Sequence, residues 1–205
     1  MSSKKFADKA MPFLEKHNVY TEKDKIIAHY GLEVLYIFVT KLIIITFISI
    51  IIGITIKLYI LLLLCWLLRS YAGGLHLSNS LSCTILSIIL FIGGTYACIH
   101  IFIEMSYRLI ITGAAISIFA LYSPADTKKR PLIRENDRIK RKIKSIIVVL
   151  MFLLLQLIIK NNFILNATTY SLLIQSLLIS PFTYKLFNQP YNNYIVYGNY
   201  KRKEE

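Results

Sequence analysis

Six nearly uninterrupted apolar runs, 34–52, 54–68, 81–103, 109–122, 145–159 and 163–186, take up most of this chain and leave it little freedom in what it can fold into. Inside a bilayer every backbone N–H and C=O must find its partner within the protein, so an apolar run of membrane length is a helix. Crossing a hydrocarbon core about 30 Å thick takes about 20 residues, and the shorter runs must borrow polar flanks, snorkel or thin the bilayer. With 56% hydrophobic and only 17% charged residues among 205, a disordered chain is excluded, and a soluble domain of this size seldom holds several such runs. The expected fold is an all-α polytopic membrane protein, a helical bundle of about six transmembrane helices.

The least secure boundary is Gly53, because Lys41, Lys57 and Arg69 interrupt the first two runs and one long helix could be drawn through both. Charge placement decides it. Loops on the cytoplasmic side carry the excess of Lys and Arg. Six crossings with both termini inside gather Lys4, Lys5, Lys9, Lys16, Lys23 and Lys25, the loop 123–144 and Lys201-Arg202-Lys203 on one face. The loops near Gly53, Ser106 and Asn161 are then external, short and poor in basic residues. A merged first span would separate the N-terminal lysines from the basic central loop. Thr21 with Asp24 three residues on resembles a capping box, so a helix is expected to start near Glu22. Before it, Phe6, Met11, Phe13 and Leu14 stand among lysines, as in an amphipathic segment on a membrane surface or a solvated tail. The pattern of a cleavable secretory leader is absent from this region, so none is expected to be removed.

Three cysteines, Cys65, Cys83 and Cys98, are an odd number and lie in or beside apolar runs, which speaks against a disulfide framework. Their separation offers no metal-ligand spacing, and neither a metal nor a cofactor is expected. Cys65 and Cys98 read as small packing residues, and His17, His29 and His100 as surface or interfacial ones. Cys83 stands apart. The stretch from Arg69 to Cys83 reads RSYAGGLHLSNSLSC, and it joins the second and third spans on the cytoplasmic side of the six-span drawing. Ionisable groups beside a Gly-Gly pair and a Ser/Asn cluster at a membrane boundary suggest irregular backbone lining a cavity. On one straight helix His76 and Cys83, seven apart, would lie about 10.5 Å apart along the axis, too far for a thiol–imidazole hydrogen bond. A break at Gly73, Gly74, Ser78 and Asn79 would leave His76 on a loop and Cys83 in the first turn of the next span. There the helix dipole and a nearby imidazolium would both favour thiolate. An activated cysteine beside a base is an arrangement that cleaves peptide bonds. Spacing alone also leaves open that both are ordinary residues.

The second constellation is YSPADTKKRPL, 122–132, followed by Arg134, Arg138, Lys140, Arg141, Lys142 and Lys144. Pro124 is expected to end the fourth span and Pro131 to keep the loop extended, so that the basic side chains project from the surface. Topology and anionic lipid account for much of this charge. Nucleic acid is disfavoured, since no recognition module accompanies it, whereas an acidic peptide partner remains open.

Taken together, Arg-x-x-x-Gly-Gly-x-His with Cys seven residues later, and Pro-Ala-Asp-Thr-Lys-Lys-Arg-Pro after the fourth span, resemble the accessory gene regulator B (AgrB) family of bacterial quorum-sensing proteins. The resemblance extends along nearly the whole chain in length, hydropathy and motif order. It implies a multi-pass protein of the bacterial cytoplasmic membrane, a cysteine endopeptidase that processes an AgrD-like precursor peptide into a cyclic autoinducer. Cys83 would be its nucleophile and His76 its general base. Arg69, Gly73 and Gly74 would bind substrate or shape the site, and Lys128, Lys129 and Arg130 match the family's basic segment; a homodimer is also implied. The expected organisation is one membrane domain, 1–205: a cytoplasmic segment 1–31, a bundle 32–186 with the catalytic segment 69–83 and basic loop 123–144, and a cytoplasmic tail 187–205. The competing class is a peptide exporter or transporter. It lacks a Walker glycine loop and paired intramembrane carboxylates, since Glu33 and Glu104 lie near span ends.

Overall fold

The computed structural model describes residues 3–15, 21–75, 80–127 and 131–195. The chain divides into two compact units, Met1–Gly53 and Ile54–Glu205. In the first, α1 (Ser3–Glu15) folds back on α2 (Glu22–Ile52) as a hairpin. The expected capping box starts α2: the Thr21 and Asp24 side chains accept each other's backbone N–H at 3.2 and 3.3 Å. Ala7 and Met11 of α1 are buried, the Phe6 and Tyr36 rings lie 4.9 Å apart, and His29 bridges Asp8 at 2.8 Å and Glu33 at 3.4 Å. The amphipathic segment is therefore a helix packed on the polar start of α2. Gly53, at φ +76°, ends α2 in the left-handed conformation that glycine adopts without a Cβ penalty. Two helices, not one, meet there.

The second unit contains α3 (Thr55–Ala72), α4 (Ser80–Ile88), a π-helical turn (Ile89–Gly93) leading into α5 (Gly94–His100), α6 (Met105–Tyr122), α7 (Glu135–Ile158), α8 (Asn162–Ile179) and α9 (Pro181–Leu186). Among the described residues there is no strand; an isolated parallel bridge pairs Gly73 with Ala125. Among the described residues, five helical segments are long and apolar enough to cross a membrane: Asp24–Ile52, Thr55–Ala72, Ser82–His100, Met105–Tyr122 and Asn162–Ile179. The protein is an all-α, multi-pass membrane protein. The remaining apolar run, 145–159, forms the C-terminal part of α7. That helix begins earlier, at Glu135, because Glu135 and Asp137 suit the positive end of a helix. Part of the basic segment 123–144 is thus helix and not loop. The run 163–186 is also divided: Ser180 takes extended backbone (φ −72°, ψ 141°), caps Thr183 N–H, and Pro181 opens α9.

α8 packs against α3, α5, α6, α7 and α9, and more than half of it is buried. Lipid is as apolar as leucine, so burial of apolar area does not drive such packing; close contact and interhelical hydrogen bonds do. The residues follow this rule. Phe47, Trp66, Ile110, Leu154 and Ile158 are exposed, whereas Thr168, Thr169, Ser171, Gln175 and Ser176 of α8 are buried. Gln156 of α7 accepts from Thr112 of α6 at 2.9 Å and donates to Thr168 and Thr169 at 3.3 and 3.1 Å. Tyr170 donates to the Leu90 carbonyl at 2.8 Å, a group in the π turn. A Cβ on Gly94 would collide with that tyrosine ring.

Candidate active site

α3 ends at Ala72 because the next two residues leave helical space, with φ +70° at Gly73 and +124° at Gly74. Four hydrogen bonds hold this break open. Ala125 N–H donates to the Ala72 carbonyl at 2.8 Å and Gly74 N–H to the Ala125 carbonyl at 3.1 Å, while Leu75 N–H donates to Leu178 at 3.0 Å. Gln175 donates through Nε2 to the Gly73 carbonyl at 2.7 Å. A Cβ on Gly73 would overlap the Ala125 carbonyl oxygen, and one on Gly74 would come within 3.2 Å of the Leu178 carbonyl oxygen. The glycines are therefore required by close backbone approach as well as by φ.

Arg69, one turn before the break, donates through Nη2 to the Leu75 carbonyl at 2.7 Å. Its guanidinium lies within electrostatic range of Cys83, Cys65 and the Tyr184 phenol. Cys83 is half-buried in the first turn of α4, where its carbonyl accepts from Ser87 at 2.7 Å. Cys65, expected as a plain packing residue, is only half-buried and donates to Ser171 Oγ at 3.3 Å; Cys98 is buried. Among the described residues no group of His, Cys, Asp and Glu could hold a metal ion. His76 lies outside the described residues, as do Lys128, Lys129 and Arg130.

The second constellation packs directly onto the first. Ser123 follows α6 and shares a 2.7 Å hydrogen bond with Ser145 of α7, and a cis Ser123–Pro124 peptide leads into Ala125. Asp126 is only 4% exposed. Its carboxylate accepts from Asn193 and Tyr194 N–H at 2.9 and 2.8 Å and from Leu132 N–H at 3.4 Å. The last of these joins two described residues on either side of 128–130 in the chain. Tyr184 donates its hydroxyl to the Asp126 carbonyl at 2.8 Å. Burial, then the Asp126 charge, push the Tyr184 phenol upward against the pull of Arg69, so it keeps its proton. Burial and neighbouring tyrosines likewise push Tyr191 up to about 12. One of the basic residues expected to project does not: Arg138 stacks 4.0 Å from the Tyr194 ring, whereas Lys144 stays exposed 5.7 Å from that of Tyr71.

The profile of the Accessory gene regulator B (AgrB) family matches residues 7–179. The chain belongs to the AgrB family. It is 33% identical over 171 residues to an AgrB-like protein of Listeria innocua, covering 82% of each chain. It is 29% identical over 165 residues to one of Clostridium acetobutylicum, covering 80% of this chain and 78% of that one. To the accessory gene regulator protein B of Staphylococcus aureus it is 32% identical over 157 residues, 76% of this chain and 82% of that protein. No solved structure matches.

Within this family member, the structure brings Arg69, Gly73, Gly74 and Cys83 into one neighbourhood. It adds roles that sequence reasoning did not assign, to Gln175, Tyr184, Asn193 and, above all, Asp126, which stood only as one position of the 122–132 motif. Their partners lie 58 to 102 residues away, so no local spacing could reveal them. The available signal was compositional: Gln175 and Ser176 are among several polar residues in a run of membrane length, and a polar group at membrane depth needs a partner.

Proposed function

We propose that this protein is a membrane cysteine endopeptidase of the agr quorum-sensing system, acting on a small AgrD-like precursor at the cytoplasmic face of the bacterial cell membrane. Cys83 is the nucleophile and His76 the general acid–base. The observation that carries the reading is the pinned break at Gly73–Gly74, which interrupts the helix between Arg69 and Cys83 and frees the intervening residues from helical spacing.

The Cys83 thiolate attacks a precursor carbonyl, the C–N bond breaks, and His76 passes its proton to the departing amine. The N-terminal fragment remains as a thioester on Cys83. A Cys or Ser side chain of that fragment then attacks the thioester, releasing a thiolactone or lactone ring and returning the thiol. The acyl group stays activated throughout, so no ATP is consumed if water is kept from the intermediate. Arg69 lends positive charge near Cys83, and the loop carrying Lys128, Lys129 and Arg130 is suited to an acidic segment of the precursor or to anionic lipid. Two copies acting as a homodimer are compatible with this scheme.

The test is cleavage of a synthetic precursor by protein in lipid vesicles. Cys83→Ala and His76→Ala should abolish cleavage while membrane insertion stays normal, and Cys98→Ala should remain active. A hydroxylamine-sensitive adduct of fragment mass on Cys83 is expected during turnover. Full cleavage by Cys83→Ala would overturn the cysteine-peptidase proposal, and wild-type protein that leaves the precursor uncleaved would favour a transporter or scaffold.

A further inference from the structure

Asp126 is buried at a membrane boundary, and among the described residues no basic side chain pairs with it, although basic residues follow it in sequence. Its charge is held by backbone instead. Oδ1 accepts from Asn193 N–H at 2.9 Å and from its Nδ2 at 3.3 Å, and Oδ2 from Tyr194 N–H at 2.8 Å. Asn192, at φ +54°, precedes these two successive N–H groups, which converge on the carboxylate as an anion-binding nest. Hydrogen bonds to an ionised acceptor are about twice as strong as neutral ones, so this is a firm attachment of the tail.

The other side of Asp126 faces the break. Ala125, its immediate neighbour, makes both backbone hydrogen bonds to 72–74, and the Asp126 carbonyl receives the Tyr184 hydroxyl. Two consecutive residues thus join the end of α3, both ends of the basic loop, α9 and the tail. Leu75, the residue before His76, is fixed through Leu178 and Arg69.

We infer that Asp126 is a positioning residue: held by the tail nest at Asn193 and Tyr194, it keeps Ala125 against Gly73 and Gly74 and so fixes the backbone that leads into His76. This rests on the proposed peptidase reading. A displacement near 1 Å at a reacting group can cost about 100-fold in rate, whereas precursor binding does not depend on it.

The experiment uses the full-length protein in lipid nanodiscs with a synthetic precursor, rates being expressed per folded molecule. Asp126→Asn places an amide donor among donors. It should lower kcat about 10- to 100-fold with KM within about twofold, and Asp126→Glu should recover part of the loss. In parallel, hydrogen exchange at the amides of Gly74, Ala125, Asn193 and Tyr194 should accelerate together. A role in folding alone would reduce yield and leave kcat per folded molecule at the wild-type value, which would overturn the inference; so would a raised KM with unchanged kcat. If Asp126→Asn does not fold, Asn193→Ala removes only the 3.3 Å bond to Asp126 and the 2.9 Å bond to Pro190, with about threefold lower kcat expected. Wild-type protein that fails to cleave would overturn the proposed function instead. Exchange then decides for the clamp: coupled loss of protection upholds it, and unchanged protection overturns it.

Discussion

Glycine stands at both ends of α3, and the two turns differ in what surrounds them. At Gly53 the backbone is left-handed (φ +76°, ψ 23°), its N–H closes α2 on Ile50, and an added Cβ would meet nothing within 4 Å. At Gly73 the backbone is also at positive φ, but the missing Cβ leaves room for the Ala125 carbonyl of a distant segment. The first glycine turns the chain; the second commits it to a partner. A turn can be altered locally, whereas a close approach cannot be altered without moving both strands of chain that meet there.

The sharpest way to break this comparison is to exchange the glycines one at a time. Gly73→Ala should reduce precursor cleavage at least about 100-fold, since a backbone atom must move and the catalytic segment moves with it. Gly53→Ala should cost about 1–2 kcal/mol of stability, the penalty of an L-residue in left-handed space, with cleavage per folded molecule unchanged. Gly53→Asn should be nearly neutral, because asparagine tolerates that conformation, while Gly73→Asn should be as damaging as alanine. Precursor cleavage and thermal unfolding in detergent read both effects. Wild-type cleavage by Gly73→Ala would mean that the Gly73–Ala125 approach has no part in the site.

A smaller effect is expected from removing one side chain that braces the break. Gln175→Leu keeps the bulk on α8 and deletes the 2.7 Å bond to the Gly73 carbonyl. A net hydrogen bond is worth about 1 kcal/mol, so kcat should fall about fivefold with KM unchanged. Gln175→Glu should be worse, because a carboxylate would face that carbonyl. If both variants match wild type, the backbone bonds to Ala125 and Leu178 sustain the break without Gln175.

Much of this architecture was legible because it is written in neighbouring residues. The Thr21–Asp24 box, the turn at Gly53 and the helix end at Tyr122 before Pro124 all follow from spacings of four residues or fewer. The division at Ser180–Pro181 was equally local, yet the apolar character of Phe182 and Leu186 concealed it. The site was legible only in part. Gly73 and Gly74 announced a break but not what fills it, since Ala125, Gln175 and Leu178 reach them from other helices. Asp126 gave no local sign of its role for a related reason: along the chain it stands beside lysines, whereas in space it binds the tail.

The smallest expected effect concerns the charge beside the second turn, where the segment 126–144 carries nine basic residues against three acidic ones and the Gly53 turn carries none. Orientation in the membrane and anionic lipid would account for much of this asymmetry. Recruitment of an acidic precursor segment would account for the rest. The two explanations part in neutral lipid. Exposed charges attract over about 8 Å at physiological ionic strength, so recruitment weakens with salt and acts on KM while leaving kcat alone. Among the described residues Asp126 pairs with no basic side chain, and its carboxylate accepts from the tail N–H groups and from Leu132. Replacing Lys128, Lys129 and Arg130 by Gln in neutral-lipid vesicles should raise KM about three- to tenfold at low salt, with kcat unchanged and the difference shrinking as salt is added. Reporter fusions after residue 203 must still read as cytoplasmic for the comparison to hold. An unchanged KM under those conditions would leave the run as an orientation and lipid signal, and the functional difference between the two turns would then rest on the close approach at Gly73 alone.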